Sequence, residues 1–440
     1  MTISKTFGEI YPEAKRQLDT CLQTVGEGLG VLCGDHHVGY GCPIGGVVAT
    51  QNVILPAVIG YDVGCGNLAV RTNLKWTPDF PLVDVMDRIA AEVAFGVGRN
   101  RSGAIDLDQW SVFTAIRESI PEQKRLLPIA QNQFGTVGAG NHYVDLFVED
   151  ATGDIWIGVH FGSRGFGHKT ASGFLAVAKG LPFDAKVNDG GMFDAPDVLS
   201  MHSGAGQDYL KAMSVAGLYA YQGREFVVQQ VLNILGAETV GEPVHNHHNY
   251  AWVETHFGQE WLVGRKGATP AFPGQKGFVG SSMGETSVIL EGVDSPDSAL
   301  ALYSTMHGAG RARGRRSATK GDAHWVCPMA DELVTVRAIN QACPGTFANT
   351  AVPKNQKCPV HDVALRKELV RPPVNFRTVQ DAIRVKGIEL RGAGPDESPE
   401  CYKRLPEVLA AHAGTIRVLH ELRPIGVAMA GRDVVDPFRD

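Results

Sequence analysis

Apolar positions change their period several times along this chain, and each change marks an element. Between Gly28 and Thr72, short apolar runs are punctuated by glycine (GLGVLCGDHHVGYGCPIGGVVATQNVILPAVIGYDVGCGNLAVRT), which predicts several β-strands joined by tight turns. In PLVDVMDRIAAEVAF (81–95) and SVFTAIRESIPEQKRLLPIAQ (111–131), apolar residues recur at i, i+3, i+4 and i+7, which predicts two helices. DIWIGVHFGSRG (154–165) returns to strand and loop. Residues 203–236, from SGAGQDYL to VLNILG, predict one long, mostly buried helix or two abutting ones. Strands resume at EWLVGRKG and TSVILEG, and the tail, 376–440, reads helix, loop, helix and strand. The texture of 321–375 differs, being rich in Pro and Cys, and it predicts an inserted or appended subdomain. The mixture of periods predicts a mixed α and β class.

Composition narrows the class of function. With 44% hydrophobic and 20% charged residues the chain is globular rather than disordered or fibrous. Its most apolar stretch, 46–60, is interrupted by polar residues and a proline and falls short of the ~20 residues that span a bilayer. The N-terminus, MTISKTFGEIYPEAKRQ, has acidic residues where an apolar signal core would sit, so the chain is read as cytoplasmic, with no membrane partner. Forty-one Lys and Arg against 47 Asp and Glu exclude a protein that coats nucleic acid by bulk charge, so any phosphate site must be local. A local candidate is RARGRRSATK (311–320), four arginines and a lysine with no acid among them; a solvated loop is the plain alternative. Eight cysteines are spread too thinly for a disulfide framework, which leaves reduced thiols or metal ligands.

Glycine is abundant, 52 residues of 440, and its clusters hold the candidate chemistry because each brings backbone close to a ligand. DVGCG carries Asp62 and Cys65; GTVGAGNHYVD carries Asn141, His142 and Asp145; VHFGSRG carries His160 and Arg164. VHNHHNYAWVETH adds His245, His247, His248 and His256. Several imidazoles with one thiol and one carboxylate form a mixed soft and hard donor set, suited to zinc, manganese, iron or cobalt rather than to magnesium or calcium. In HGAGR, His307 precedes small residues with exposed amides and the basic run, an adjacency that favours a phosphate site. A neutral imidazole can also be a covalent nucleophile. Read from residues alone, the chemistry is a metal-assisted reaction on a phosphorylated substrate.

DVGCG, GTVGAGNH, HFGSRG, HHNY, RKGA, SSMG and HGAGR, in this order, closely resemble the motifs of the RtcB family of GTP-dependent RNA ligases, over most of residues 30–320. DESPECYKRLPEV (396–408) extends the likeness near the C-terminus. The resemblance implies a single large α/β domain with mixed sheets around a central metal cleft: a catalytic core in 1–320, the insertion 321–375, and a remainder of the catalytic domain in 376–440. It implies joining of RNA ending in a 2′,3′-cyclic phosphate or 3′-phosphate to RNA with a 5′-hydroxyl, in RNA repair or tRNA splicing. The intermediate would be a guanylate on His307. Two manganese ions would be held, one by Asp62, Cys65 and His142 and the other by Cys65, His160 and His248. Contacts to GTP would fall on Asn141, His142, Asp145, His248, Asn249, Ser281, Ser282, Met283 and Ser287, and on His307, Gly308, Ala309 and Gly310. Arg164 and Arg311 would meet RNA phosphates.

The chain departs from the family at Asp145, where Glu is usual, at GSSMG (280–284) in place of PGSMG, at Gly314 in place of a serine, and at Ala430, where a lysine contacts the guanine. These changes bear on base selectivity and leave the phosphate and metal residues in place. Two other functions fit the same pocket: an RNA-end binding protein without ligation, and a metal-dependent phosphodiesterase. The insertion poses its own question. His324 with Cys327 (HWVC) and Cys358 with His361 (CPVH) have knuckle-like spacing and, with Cys343 standing alone between them, offer five candidate ligands for a structural zinc, against the plainer reading of reduced, buried cysteines in a proline-rich loop.

Overall fold

The continuous apolar runs become strands covered on both faces. In a computed structural model, which describes residues 2–103, 105–187, 191–329, 343–348, 353–431 and 434, Tyr143–Glu149 and Asp154–Phe161 are buried along their whole length. They lie inside the larger of two main sheets. Its order is Thr239–His247, Gly66–Lys75, Asp154–Phe161, Tyr143–Glu149, Ile416–Met429, Ser287–Gly292 and Lys276–Val279, with Glu389–Arg391 added in parallel to Ile416–Met429. The second sheet orders Thr2–Thr6, Gly28–His37, Ile44–Thr50, Gln259–Lys266 and Asn249–His256. Neighbours are mostly antiparallel, with parallel pairs such as Thr2–Thr6 on Gly28–His37, so the fold is a mixed α/β domain.

Residues 204–235 form a single helix, Gly204–Leu235. Ser203 caps its start, Oγ accepting from the Gly206 amide at 3.0 Å, and Gly236 ends it in the left-handed region at φ 63°. Val227, Val228, Val231 and Leu232 pack on Leu68, Val70, Ile157 and Val159 of the larger sheet. Each such side chain contributes about 1.5–3 kcal/mol of burial.

Two expectations change. The periodic stretch 111–131 is not one helix but three short ones, Ser111–Glu118, Pro121–Lys124 and Leu127–Gln133, because Pro121 and Pro128 each lack the amide to continue a helix and so begin a new one. Residues after VHFGS are not loop: Arg164–Ala178 is a helix, its period masked by the small residues that let it pack closely on its neighbours. The strands and helices expected elsewhere, including the helix, loop, helix and strand of the tail, are present. Within 321–375, the described strands Thr346–Ala348, Asp322–Val326 and Arg366–Arg371 form a sheet of their own. Among the described residues no helix is long and apolar enough to cross a membrane, and no cysteine is in a disulfide.

Candidate active site

Strand register assembles the site. His160 pairs with Asn67 on one side and with Tyr143 on the other, so Cys65, just before its strand, and His142, just before its own, lie one step away. A slip of one residue would turn His160 to the opposite face. His248 joins through the backbone: its amide donates to the Cys65 carbonyl at 2.8 Å. The turn carrying Asp62 and Cys65 is clamped by fully buried Arg224 of the long helix, whose guanidinium donates to the carbonyls of Gly64 at 2.9 Å and Phe161 at 2.6 Å. Gly162 is required beside this turn, since a Cβ there would lie 2.1 Å from Asp62 Oδ1.

Two donor groups result, Asp62 with Cys65 and His142, and Cys65 with His160 and His248, each with ligand atoms within 4.8 Å of one another. Cys65 belongs to both. Its Sγ is 3.7 Å from His142 Nε2 and 3.4 Å from His160 Nε2, and His142 Nε2 lies 3.1 Å from Asp62 Oδ2. His160 Nδ1 donates to the Asn141 carbonyl at 3.0 Å, which leaves the Nε2 lone pair facing Cys65, the tautomer that a metal ligand needs. Burial holds His160 and His248 well below the usual imidazole range, so both are neutral donors. Burial raises the Asp62 carboxyl, but His142 and Arg164 outweigh it and keep the group ionised. Burial, with the charge of Asp62 second, pushes the Cys65 thiol well up, and a cation between these groups would favour the thiolate.

His307 stands over this pair, its ring centroid 4.7 Å from that of His248. Asp35, fully buried, accepts on one oxygen from His307 Nδ1 at 2.6 Å, the His307 amide at 3.0 Å and the Gly308 amide at 3.3 Å. Burial would raise the Asp35 carboxyl, yet the pairing with His307 holds it below its ordinary range. An ionised acceptor at Nδ1 fixes the proton there and leaves Nε2 as the free lone pair. Gly310, at φ 77°, lets the HGAGR turn approach: a Cβ would lie 2.1 Å from the Asp35 carbonyl oxygen.

An open cleft of about 250 Å³ spreads from His307 and His160. Of the residues expected to contact a nucleotide, Asn141, Asp145, Ser281, Ser282, Met283, Gly308, Ala309 and Gly310 line it. Buried Asp145 Oδ1, Tyr143 Oη, Ser281 Oγ and Ser282 Oγ have no partner within the protein, so this wall is polar and uncommitted. Burial holds the Asp145 carboxyl well above its usual range. Asn249 and Ser287 are placed differently. Asn249 Oδ1 accepts from the Gly267 amide at 2.7 Å while Nδ2 donates to the Asp62 carbonyl at 3.2 Å, and Ser287 Oγ accepts from the Ser281 amide at 3.0 Å. Both shape the walls.

The basic run is no solvated loop. Arg311 lines the cleft, but its guanidinium donates to Glu397 Oε1 at 3.1 Å, Tyr402 Oη at 2.8 Å and the Asp396 carbonyl at 2.6 Å, and Arg315 pairs with Asp396 and Glu397. Arg164 Nη1 is 3.4 Å from His142 Nδ1. Cys327, Cys343, Cys358 and His361 converge, whereas His324 does not join them: its Nε2 faces Glu368 Oε2 at 3.6 Å. Sequence reasoning missed Asp35, Arg224, Glu397 and Tyr402. Asp35 lies in a glycine cluster, CGDHHVGYG, and Arg224 interrupts an apolar helix, and both were signals.

The model of the RtcB family, tRNA-splicing ligase RtcB, matches residues 20–342. The chain is 33% identical over 312 residues to RNA-splicing ligase RtcB of Escherichia coli K12, covering 65% of this chain and 74% of that protein. It is 29% identical over 402 residues to tRNA-splicing ligase RtcB of Aeropyrum pernix, covering 73% and 81%. With tRNA-splicing ligase RtcB of Pyrobaculum aerophilum it shares 30% identity over 366 residues, covering 66% and 74%. A match across most of the chain, running through each ligand-bearing turn and His307, means that this protein belongs to the RtcB family.

Proposed function

We propose that this protein is a GTP- and manganese-dependent RNA ligase that joins 2′,3′-cyclic phosphate or 3′-phosphate ends to 5′-hydroxyl ends through a guanylate on His307. The observation that carries this reading is the placement of a histidine, locked through Nδ1 on buried Asp35, beside two donor groups that share one thiol. Nε2 of His307 forms a bond to the α-phosphorus of GTP as the bond to pyrophosphate breaks. A 2′,3′-cyclic end is first opened by water, which breaks the bond to the 2′-oxygen and leaves a 3′-phosphate; the 3′-phosphate then attacks the guanylate phosphorus and displaces the histidine, and the 5′-hydroxyl attacks the RNA phosphorus and displaces GMP. One thiol, three imidazoles and a carboxylate fit manganese or a neighbouring transition ion, which when bound would neutralise phosphate charge and align the displacement. Gly308, Ala309 and Gly310 on one wall and the hydroxyls of Ser281 and Ser282 on the other would hold the nucleotide.

Incubation with labelled GTP and manganese, without RNA, is expected to label the protein covalently. An RNA-end binding protein or a phosphodiesterase would bind or open RNA ends without forming that adduct, and its absence would overturn the reading. Asp35→Asn retains the shape but not the charge that sets the His307 tautomer. It is expected to slow adduct formation by on the order of a hundredfold or more, with the protein still folded by circular dichroism at the assay temperature. An unaltered rate would remove Asp35 from the mechanism.

Ala430, buried at the end of the strand Ile416–Met429, cannot offer a charged donor to a base. Discrimination between GTP and ATP should therefore be shallow, and Ala430→Lys is expected to raise the GTP to ATP ratio of adduct formation roughly tenfold. A ratio that does not move assigns base recognition to another residue.

A further inference from the structure

We propose that the insertion, residues 321–375, is held by a structural zinc ion on Cys327, Cys343, Cys358 and His361. The four side chains come from the ends of three strands: Cys327 just after Asp322–Val326, Cys343 before Thr346–Ala348, and the Cys358–His361 turn before Arg366–Arg371. Their ligand atoms all lie within 4.8 Å of one another. Cys343 Sγ is 3.6 Å from Cys358 Sγ, far beyond the ~2.05 Å of a disulfide. His361 Nδ1 lies 3.3 Å from Cys327 Sγ and 3.6 Å from Cys358 Sγ. A tetrahedral ion with Zn–S of about 2.3 Å and Zn–N of about 2.0–2.1 Å sets sulfur–sulfur separations near 3.8 Å and sulfur–nitrogen separations near 3.5 Å. The three separations of 3.3, 3.6 and 3.6 Å match edges of such a tetrahedron, and the remaining ones stay within 4.8 Å.

The backbone is shaped to match. Amides of Met329, Gly345, Val360 and His361 point at the three sulfurs, the arrangement by which a tight turn supports a thiolate. Free thiols are weak donors and acceptors and gain little from converging in this way. Among the described residues, buried Phe347 and Leu365 pack around Cys327 and Cys358, with Trp325, Met329, Val360 and Val363 partly covered, so the cysteines sit at the centre of this small cluster.

Three thiolates and one imidazole are soft donors that select zinc over manganese, and four protein ligands close the coordination shell, so the role is structural rather than catalytic. None of these residues lines the cleft. The segment meets the core where the Val374 amide donates to the Ala318 carbonyl at 2.8 Å and where Arg313 donates to the Pro372 carbonyl. Both contacts fall on the run that carries Arg311 and Arg315 to the cleft wall.

Metal analysis of the full chain tests this, using Cys65→Ser to empty the cleft and Cys343→Ser with Cys358→Ser to break the proposed site. Zinc is expected at one ion per chain in Cys65→Ser and to be lost from the double variant, with new protease cleavage inside 321–375. Cys65→Ser without tightly held zinc, or a double variant with its zinc intact, overturns the proposal. Should the double variant fail to fold, cobalt decides. Cys65→Ser reconstituted with cobalt is expected to show intense tetrahedral ligand-field bands and thiolate-to-cobalt charge transfer, and the weak spectrum of an octahedral ion would be equally fatal.

Discussion

His307→Ala is expected to abolish covalent guanylylation and ligation together, lowering turnover by a factor on the order of a million, the scale seen when a covalent nucleophile is removed. Alanine also removes the acceptor-locked ring above the donor groups, yet those groups do not depend on it: Cys65 is held by the Asp62 turn and by the amide of His248. Metal content should therefore remain as in the unmodified chain. Incubation with labelled GTP followed by denaturing electrophoresis reads the first outcome, and metal analysis reads the second. Retention of a labelled adduct by His307→Ala would show that another side chain is the nucleophile.

Cys65→Ser is expected to lose manganese and activity at once. Cys65 Sγ is the one atom common to both donor groups, so replacing it removes a ligand from each. A serine hydroxyl stays protonated under conditions that would ionise a metal-bound thiol, and it is a harder, poorer match to the surrounding imidazoles. The loss should exceed the roughly 10–100-fold that follows removal of a hydrogen-bond partner of a ligand. The two variants separate the roles: His307→Ala keeps metal and loses the adduct, whereas Cys65→Ser loses both. Normal manganese content with normal turnover in Cys65→Ser would refute the shared-thiol assignment.

Much of this was legible along the chain because the chemistry sits in short glycine-rich turns. DVGCG and HGAGR show their candidate ligands and candidate nucleophile locally, and the 3.6-residue period between the Ser203 cap and Gly236 marks the long helix without reference to anything else. Prolines at 121 and 128 were equally local signals, yet the apolar period ran across them and hid the breaks.

By itself, then, the sequence determined which donor types are present, their order, the mixed α and β class and most of the elements. Only the tertiary structure decided which of those donors meet. Asp35 reaches His307 across 272 positions, and Arg311 finds Glu397 across 86, so that this arginine lines the cleft already paired with a carboxylate. By spacing His324, paired with Cys327 in HWVC, is the stronger candidate and Cys343 stands alone, but the strand register sends His324 toward Glu368, and Cys343 lies beside Cys358. The physical reason is that local periodicity encodes which face of an element is buried, not what it is buried against. The partner follows from sheet order and register, which long-range pairing sets for the whole chain at once.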